Sequence, residues 1–349
     1  MTKLAIGSEV VDLAPIFQAL PERNYLFNAL DLFDGVGITS PKVIVSQLVE
    51  DNYSLFNEPT SRGSSEHNVT ARQNGQEWLI EAPFFLREDM FTPADVQGKR
   101  KQGTAFEETV ADLYAEYTAK HKIAYMRTRE SYLARALFKG QVYTPKTNDL
   151  LIDYSTLFGV SPMTHTVSAA TPAKDLDEVL DKIQQAAGGL AGMIERVIVF
   201  AKPAAFSALR FSDAMATAFQ YVAPYDSRNI VFQRNELLPG VSTFSMPGSP
   251  IDVIKITDPL LLAQMPDDAD MIAIPVFSKG SNVYQVMYGA ASSTFALLDA
   301  APAEFYSWGY QNERGSEWNV ITEHTALCVN NGLGMQVMTC SPLISTPRC

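Results

Sequence analysis

Residues Ala105–Lys139, AFEETVADLYAEYTAKHKIAYMRTRESYLARALFK, contain no glycine and no proline and are rich in Ala, Glu, Lys, Arg, Leu and Tyr. That composition predicts one uninterrupted helix, roughly 50 Å long at 1.5 Å rise per residue. A helix about as long as a small domain is wide must run along a molecule or between molecules. Thr104 followed by Glu107 fits a capping box at its start, and Gly140 is a natural stop at its end. Val110, Leu113, Tyr117 and Ala124 share one face at helical spacing, whereas Tyr114, Tyr125 and Met126 fall off it; Tyr132, Leu133, Ala136 and Leu137 form a second apolar group. Because the same stretch carries Glu107, Glu108, Arg127, Arg129, Glu130 and Arg135, it is expected to be covered partly by its own domain and partly by other elements.

Upstream, Glu58–Glu77 (EPTSRGSSEHNVTARQNGQE) has Val69 and Ala71 as its only apolar residues and separates VIVSQLV from WLIEAPFFL, two segments with strand character. A polar loop of that length inside a folded chain is functional or disordered. Residues 41–57 and 76–86 read as the two arms of a protruding hairpin, and Thr92-Pro93 with Gly98 marks the connection to the helix. Residues 1–40 carry many apolar groups interrupted by Pro15 and Pro21, as in a segment that packs while staying irregular.

Downstream, QVYTPKTNDLLIDYSTLFG alternates like a hairpin with Pro145–Asp149 as its turn. Asp175–Gln185 is amphipathic with acidic residues at its start, as a helix dipole favours. ERVIVFAKP reads as a buried strand, AAFSALRFSDAMATAFQYV as one helix, and Ser249–Thr257 and Asp270–Phe277 as strands. Glu317–Val329 and Gly334–Thr339 read as a returning hairpin. The order of elements is that of an α+β protein.

Composition narrows the function. The formal charge of −12, from 27 basic and 39 acidic residues, speaks against a dedicated nucleic-acid binder, which clusters Lys and Arg against phosphates. Lys99-Arg100-Lys101 is the one basic cluster, read as a solvated face. No segment reaches the ~18 apolar residues of a membrane span, and MTKLAIGSEVVDLAPIF lacks the pattern of a signal peptide, so neither membrane insertion nor secretion is expected. Cys328, Cys340 and Cys349 have no metal-ligand spacing and read as free thiols. His67, His121, His165 and His324 have no partner at useful spacing. None of GxSxG, GxxxxGK[ST], HExxH or a strand-linked GxGxxG occurs, and Gly188-Gly189 with Gly192 reads as a helix end. Asp267, Asp268 and Asp270 lack the glycine and terminal Glu of a calcium loop; Asp149 and Asp153 read as turn and edge residues. No catalytic, cofactor-binding or metal site is expected.

Three segments go further. SYLARALFKGQVYTPKTNDLLIDY, with Leu137, Lys139, Gly140 and Tyr143, resembles the helix end, LKGKY-like turn and following hairpin of the lambda-type protein E family of tailed-bacteriophage major capsid proteins. ERVIVFAKPAAFSALRF resembles that family's apolar strand, Pro-containing turn and aromatic-bearing helix, and EWNVITEHTALCVNNGLGMQVMT its C-terminal strand pair. The likeness spans nearly the whole chain, each piece alone being weakly specific.

The resemblance implies the Hong Kong 97-type capsid fold. Residues 1–40 would be an N-terminal arm and 41–95 an extended loop. Residues 96–175 with 315–349 would form a peripheral domain with spine helix 105–139, and 176–314 an axial domain. It implies a non-enzymatic shell subunit, assembling with itself through pentamers and hexamers into an icosahedral shell. The shell would form in the host cytoplasm, become the virion capsid and enclose double-stranded DNA without binding it specifically. Scaffolding, portal and decoration proteins are the further partners implied, with no cofactor and no membrane. The extended-loop tip, Arg62, Glu66, His67, Arg72 and Glu77, is the expected contact with neighbouring copies. Some relatives weld their shells by a Lys-Asn isopeptide bond; Lys42, Lys99 and Lys101 read as ordinary surface charges instead. The alternatives are an encapsulin-like cellular compartment and a cytosolic α+β enzyme with an unrecognised site.

Overall fold

A computed structural model of the chain describes residues 11–12, 25–46, 77–97, 110–168, 170–220, 241–246, 248–294, 297, 301–312 and 314–340. The expected long helix is present as Val110–Lys139, whose 30 residues span about 45 Å. The capping box expected at Thr104 and Glu107 lies outside the described residues. One such arrangement forms instead at the short helix Pro93–Val96, where the Thr92 N–H donates to the Asp95 carboxylate at 2.9 Å.

The buried face of the spine helix differs from the one expected. Leu113, Tyr114, Thr118, His121, Lys122, Tyr125, Met126 and Glu130 are buried, followed by Leu133, Ala134, Leu137 and Phe138, while Val110 is exposed. The period is helical, but the stripe contains four polar residues. An apolar pattern search therefore divides it, and it misplaces Tyr114, Tyr125 and Met126.

Two six-stranded sheets pack around this helix. The first is organised by β15 (Trp318–Asn330), antiparallel to β14 (Tyr306–Gln311), β13 (Tyr284–Gly289) and β5 (Phe84–Phe91). β2 (Asp34–Ile38) runs parallel to β13, and β1 (Val11–Asp12) pairs with β14. The second sheet has the order β10 (Thr243–Ser245), β11 (Ile251–Lys255), β9 (Ile194–Ala201), β12 (Met271–Phe277), β16 (Val337–Cys340), β8 (Met163–Thr166).

The apolar run of β9 is explained by burial on both faces, which removes the polar half of a strand's alternation. Val197, Val199 and Ala201 meet Leu176, Val179 and Ile183 of helix Pro172–Ala187. Ile198 and Phe200 point the other way, into a cluster with Leu133, Leu137 and Phe138 of the spine helix and Phe27. Phe27 stacks on Phe200 at 5.4 Å and meets Phe138 edge-on at 5.4 Å.

Two sequence expectations change here. The single helix expected over 204–222 is two, Pro203–Arg210 and Asp213–Gln220, within the described residues. Ser212 divides them: its hydroxyl donates to Leu209 O at 3.0 Å and accepts from the Met215 N–H at 3.4 Å, giving the backbone a local cap in place of a continued helix. The expected C-terminal hairpin does not form. β15 belongs to the first sheet, while β16 crosses to the second, antiparallel to β12 and parallel to β8. The second sheet thus joins 163–166 and 337–340 to β9–β12, while the first joins 284–289 and 306–311 to β15.

The hairpin of β6 (Gln141–Tyr143) and β7 (Leu150–Asp153) forms as expected, closed by the Thr144–Asp149 backbone pair at 2.9 Å. Between it and the spine helix, Gly140 adopts φ +62°, and a β-carbon there would lie 2.8 Å from Leu333 Cδ2. Gly140→Ala is therefore expected to lose about 2 kcal/mol from combined backbone strain and crowding, read from the midpoint of denaturant unfolding. The same corner is held by Asn330, wholly buried, whose amide donates to Ala136 O at 2.9 Å and Leu137 O at 3.3 Å.

Candidate functional site

The expected hairpin arms pair as β3 (Lys42–Ser46) and β4 (Glu77–Glu81), antiparallel, in register from Lys42 opposite Glu81 to Ser46 opposite Glu77. Arg62, Glu66, His67 and Arg72 lie outside the described residues; Glu77, at the start of β4, is exposed. Strand alternation gives this ribbon two unlike faces. Val43, Val45, Trp78 and Ile80 pack inward on Val142, Ile152, Tyr154 and Phe158, with the Trp78 and Phe158 rings 5.4 Å apart. Ile44 and Leu79, directly opposite each other, point outward and are 58% and 65% exposed. This exposed cross-strand apolar pair is flanked on its face by exposed Glu77 and Glu81.

Along the spine helix a cleft of about 420 Å³ opens between Ala124–Arg135, the β6–β7 hairpin and the start of β5. Phe85, Val142, Pro145 and Leu260 give it an apolar lining, and Arg127 and Arg135 stand along it. The Arg135 guanidinium lies 4.3 Å from the Tyr143 ring centre and donates to Gln264 Oε1 and Asn148 Oδ1 at 2.9 and 3.1 Å. Its partners are neutral. The Tyr132 hydroxyl, also on this cleft, is buried and has no hydrogen-bond partner among the described residues, and burial raises its pKa well above the usual tyrosine value.

Sequence reasoning missed a polar chain that crosses the first sheet. His121 Nε2 lies 2.8 Å from Asp89 Oδ2 and Nδ1 lies 2.9 Å from Thr322 Oγ1, which is 3.2 Å from Ser307 Oγ. Asp89 as a carboxylate only accepts, so Nε2–H donates to it and Nδ1 accepts the Thr322 proton. Burial holds the His121 pKa below the usual histidine value against the pull of Asp89. Burial raises the Asp89 pKa, but hydrogen bonds from His121 and Arg87 outweigh it and leave the carboxyl below its ordinary value. The residue types are those of a hydroxyl–imidazole–carboxylate relay. Here, however, His121 is 1% and Thr322 4% exposed, and the chain joins β5, the spine helix, β15 and β14 as an internal tie. Sequence separations of 32 and 201 residues leave no local signal for it.

The other histidines read differently. His324 stacks on Phe85 at 4.5 Å, and burial with Arg129 nearby pushes its pKa down to about 3. His165 lies 3.0 Å from Lys182 Nζ, and His67 lies outside the described residues. Among the described residues no group of three His, Cys, Asp or Glu side chains could hold a metal ion, and no helix is long and apolar enough to cross a membrane.

Glu130, buried in the middle of the spine helix, accepts from the Phe27 N–H at 2.8 Å and the Asn28 N–H at 3.2 Å. It thereby receives the first turn of helix Leu26–Leu30 and ties the segment after residue 24 to the spine.

Comparison with known proteins is consistent with an assembling surface. A model of the phage major capsid protein E family matches residues 9–337. The major capsid protein of Pseudomonas phage KPP10 is 24% identical over 221 residues, a stretch covering 62% of this chain and 62% of that relative. Among solved structures, the putative capsid protein of a prophage of E. coli CFT073 superposes with a TM-score of 0.55 at 15% identity, covering 95% of this chain and 99% of that one. The capsid of Ralstonia phage GP4 gives 0.51 at 10% identity, covering 91% and 88%.

Proposed function

Since the chain belongs to the phage major capsid protein E family, we propose that it is the repeated structural subunit of the icosahedral head of a tailed double-stranded DNA bacteriophage. The observation that carries this is the family match along residues 9–337, joined by the fold likeness to phage capsid proteins. The physics of the surface supports it: a ribbon with its inner face fixed to its own core and an apolar pair turned outward presents contact area that a lone subunit leaves unused. The family match favours a phage head over a cellular compartment or an enzyme.

In this reading the spine helix and the β6–β7 hairpin lie in the peripheral domain, within 96–175 and 315–349. The region 176–314 is the axial domain, residues 1–40 are the arm and 41–95 the extended loop. The loop tip, Arg62, Glu66, His67, Arg72 and Glu77, contacts neighbouring copies. Contacts of this head-to-tail kind close into rings, here pentamers and hexamers. Scaffolding, portal and decoration proteins are the further partners, and assembly takes place in the host cytoplasm. A net charge of −12 suits a wall that encloses DNA without holding its phosphates.

Electron microscopy and sedimentation of the expressed full chain, with and without candidate scaffold and protease, test the proposal. Closed shells, or rings of five and six, are expected. A stable dimer or tetramer that forms neither under any of these conditions would overturn it.

A further inference from the structure

Between the spine helix and β15, three buried polar atoms lack a partner, and their hydrogen-bonding roles fit one another. Arg129 Nε, the Tyr132 hydroxyl and His324 Nε2 each have no hydrogen-bond partner among the described residues. Arg129 and Tyr132 are three residues apart on the spine helix, where side chains are neighbours. His324 reaches them from β15: its ring centre is 6.3 Å from that of Tyr132, and the Arg129 charge acts on both side chains. The rest of the Arg129 guanidinium is engaged, with Nη1 3.2 Å from Glu304 Oε2 and Nη2 donating to the Tyr288 hydroxyl at 3.2 Å.

Arg129 Nε–H can only donate. Burial raises the Tyr132 pKa well above the usual tyrosine value, so the phenol keeps a proton to give. Burial and Arg129 push the His324 pKa down to about 3, so its imidazole is neutral and has one accepting nitrogen. Two donors and an acceptor are what one water molecule can serve, since it accepts twice and donates to the third. There is room for it. Cavities of about 420 and 310 Å³ share Phe85, Ala124 and Thr128 in their linings, and Tyr132 lines the first and His324 the second. An anion is disfavoured because Glu304 already balances Arg129. We propose that a single buried water binds here, accepting hydrogen bonds from Arg129 Nε–H and the Tyr132 hydroxyl and donating one to His324 Nε2. The water ties the spine helix to the inner face of β15 and fixes His324 as the tautomer protonated on Nδ1.

The sign of one substitution tests it. Were the Tyr132 hydroxyl bare, Tyr132→Phe would remove an unpaired buried atom and raise the midpoint of denaturant unfolding; with the water in place it removes a bond and lowers the midpoint. A lower midpoint is expected for the full-length chain. His324→Phe keeps a ring on Phe85 while deleting the acceptor. Combined with Tyr132→Phe, it is expected to cost less than the two single changes predict, by about fivefold or more in the unfolding constant. Should His324→Phe fail to fold, the Tyr132→Phe midpoint and the solvent density decide. In a structure that shows ordered solvent, one peak is expected within hydrogen-bond distance of all three atoms, unchanged when bromide replaces chloride. A raised midpoint for Tyr132→Phe, additive effects in the double variant, no peak, or a peak that strengthens with bromide would overturn the bound water. None of these readouts depends on the chain forming shells.

Discussion

Deletion of residues 58–76 is expected to leave a folded, soluble chain that forms no closed shells. The fold should survive because the deleted stretch has only Val69 and Ala71 as apolar residues and so offers little to a core. The ribbon it joins is held from inside, by Val43, Val45, Trp78 and Ile80 on the Tyr154–Phe158 cluster. Residues 47–57 remain to connect β3 to β4, and a shorter connection lowers the entropy lost in closing the loop. Unfolding midpoints of the deletion and the full chain should therefore agree within about 1 kcal/mol. Assembly should be lost because the expected contact residues Arg62, Glu66, His67 and Arg72 are removed together, leaving Glu77 alone. Sedimentation distinguishes the outcomes: particles of normal size from the deletion would show that the loop is dispensable and that the intersubunit contact lies elsewhere.

What the sequence revealed and what it concealed follow one division. Elements whose signal lies within their own residues were legible: the spine helix from its unbroken run of helix formers, the β6–β7 hairpin from Pro145–Asp149, and β9 and β12 from continuous apolar stretches. Pairings between distant segments were not. Glu317–Val329 followed by Gly334–Thr339 looks like a hairpin, yet the strands enter different sheets because Asn330 and Gly332 turn the chain back under the end of the spine helix, with the Gly332 N–H donating to Asn330 Oδ1 at 3.0 Å. β13 and β14, YQVMYG and YSWGYQ, carry too many polar and aromatic residues to stand out, although both are largely buried once β15 lies beside them. The buried face of the spine helix was obscured for a related reason. Thr118, His121 and Glu130 sit on it, and the last two are explained only by partners brought from elsewhere in the chain: Asp89 and Thr322 for His121, Phe27 and Asn28 for Glu130. The resemblance carried by residues 131–154, 195–211 and 317–339 pointed to the family before any of these contacts was visible. The expected contact residues of the loop, by contrast, remain a proposal tested by the deletion.

Replacement of Glu130 by Ala is expected to cost about 2–4 kcal/mol, because it leaves the buried Phe27 and Asn28 N–H groups without their acceptor. The loss should appear first at the join between helix Leu26–Leu30 and the spine, as earlier proteolytic cleavage near residue 25 than in wild type. Glu130→Gln probes charge separately. Burial raises the Glu130 carboxyl to about 7, against the two backbone donors that favour its ionised form, and Asp258 adds repulsion. A carboxyl raised in the folded state from an ordinary value of 4.5 binds more protons folded than unfolded. Its contribution to stability is therefore fully present below about pH 4.5 and is lost as the pH rises through about 7. Between pH 5 and pH 8 wild type should lose about 2–3 kcal/mol relative to Glu130→Gln, whose side chain does not titrate. Parallel denaturation curves for the two proteins across that range would show that the carboxylate is accommodated without penalty, its two N–H donors balancing its burial. Converging or crossing curves would show that the join between residues 25–30 and helix Val110–Lys139 loosens as Glu130 ionises.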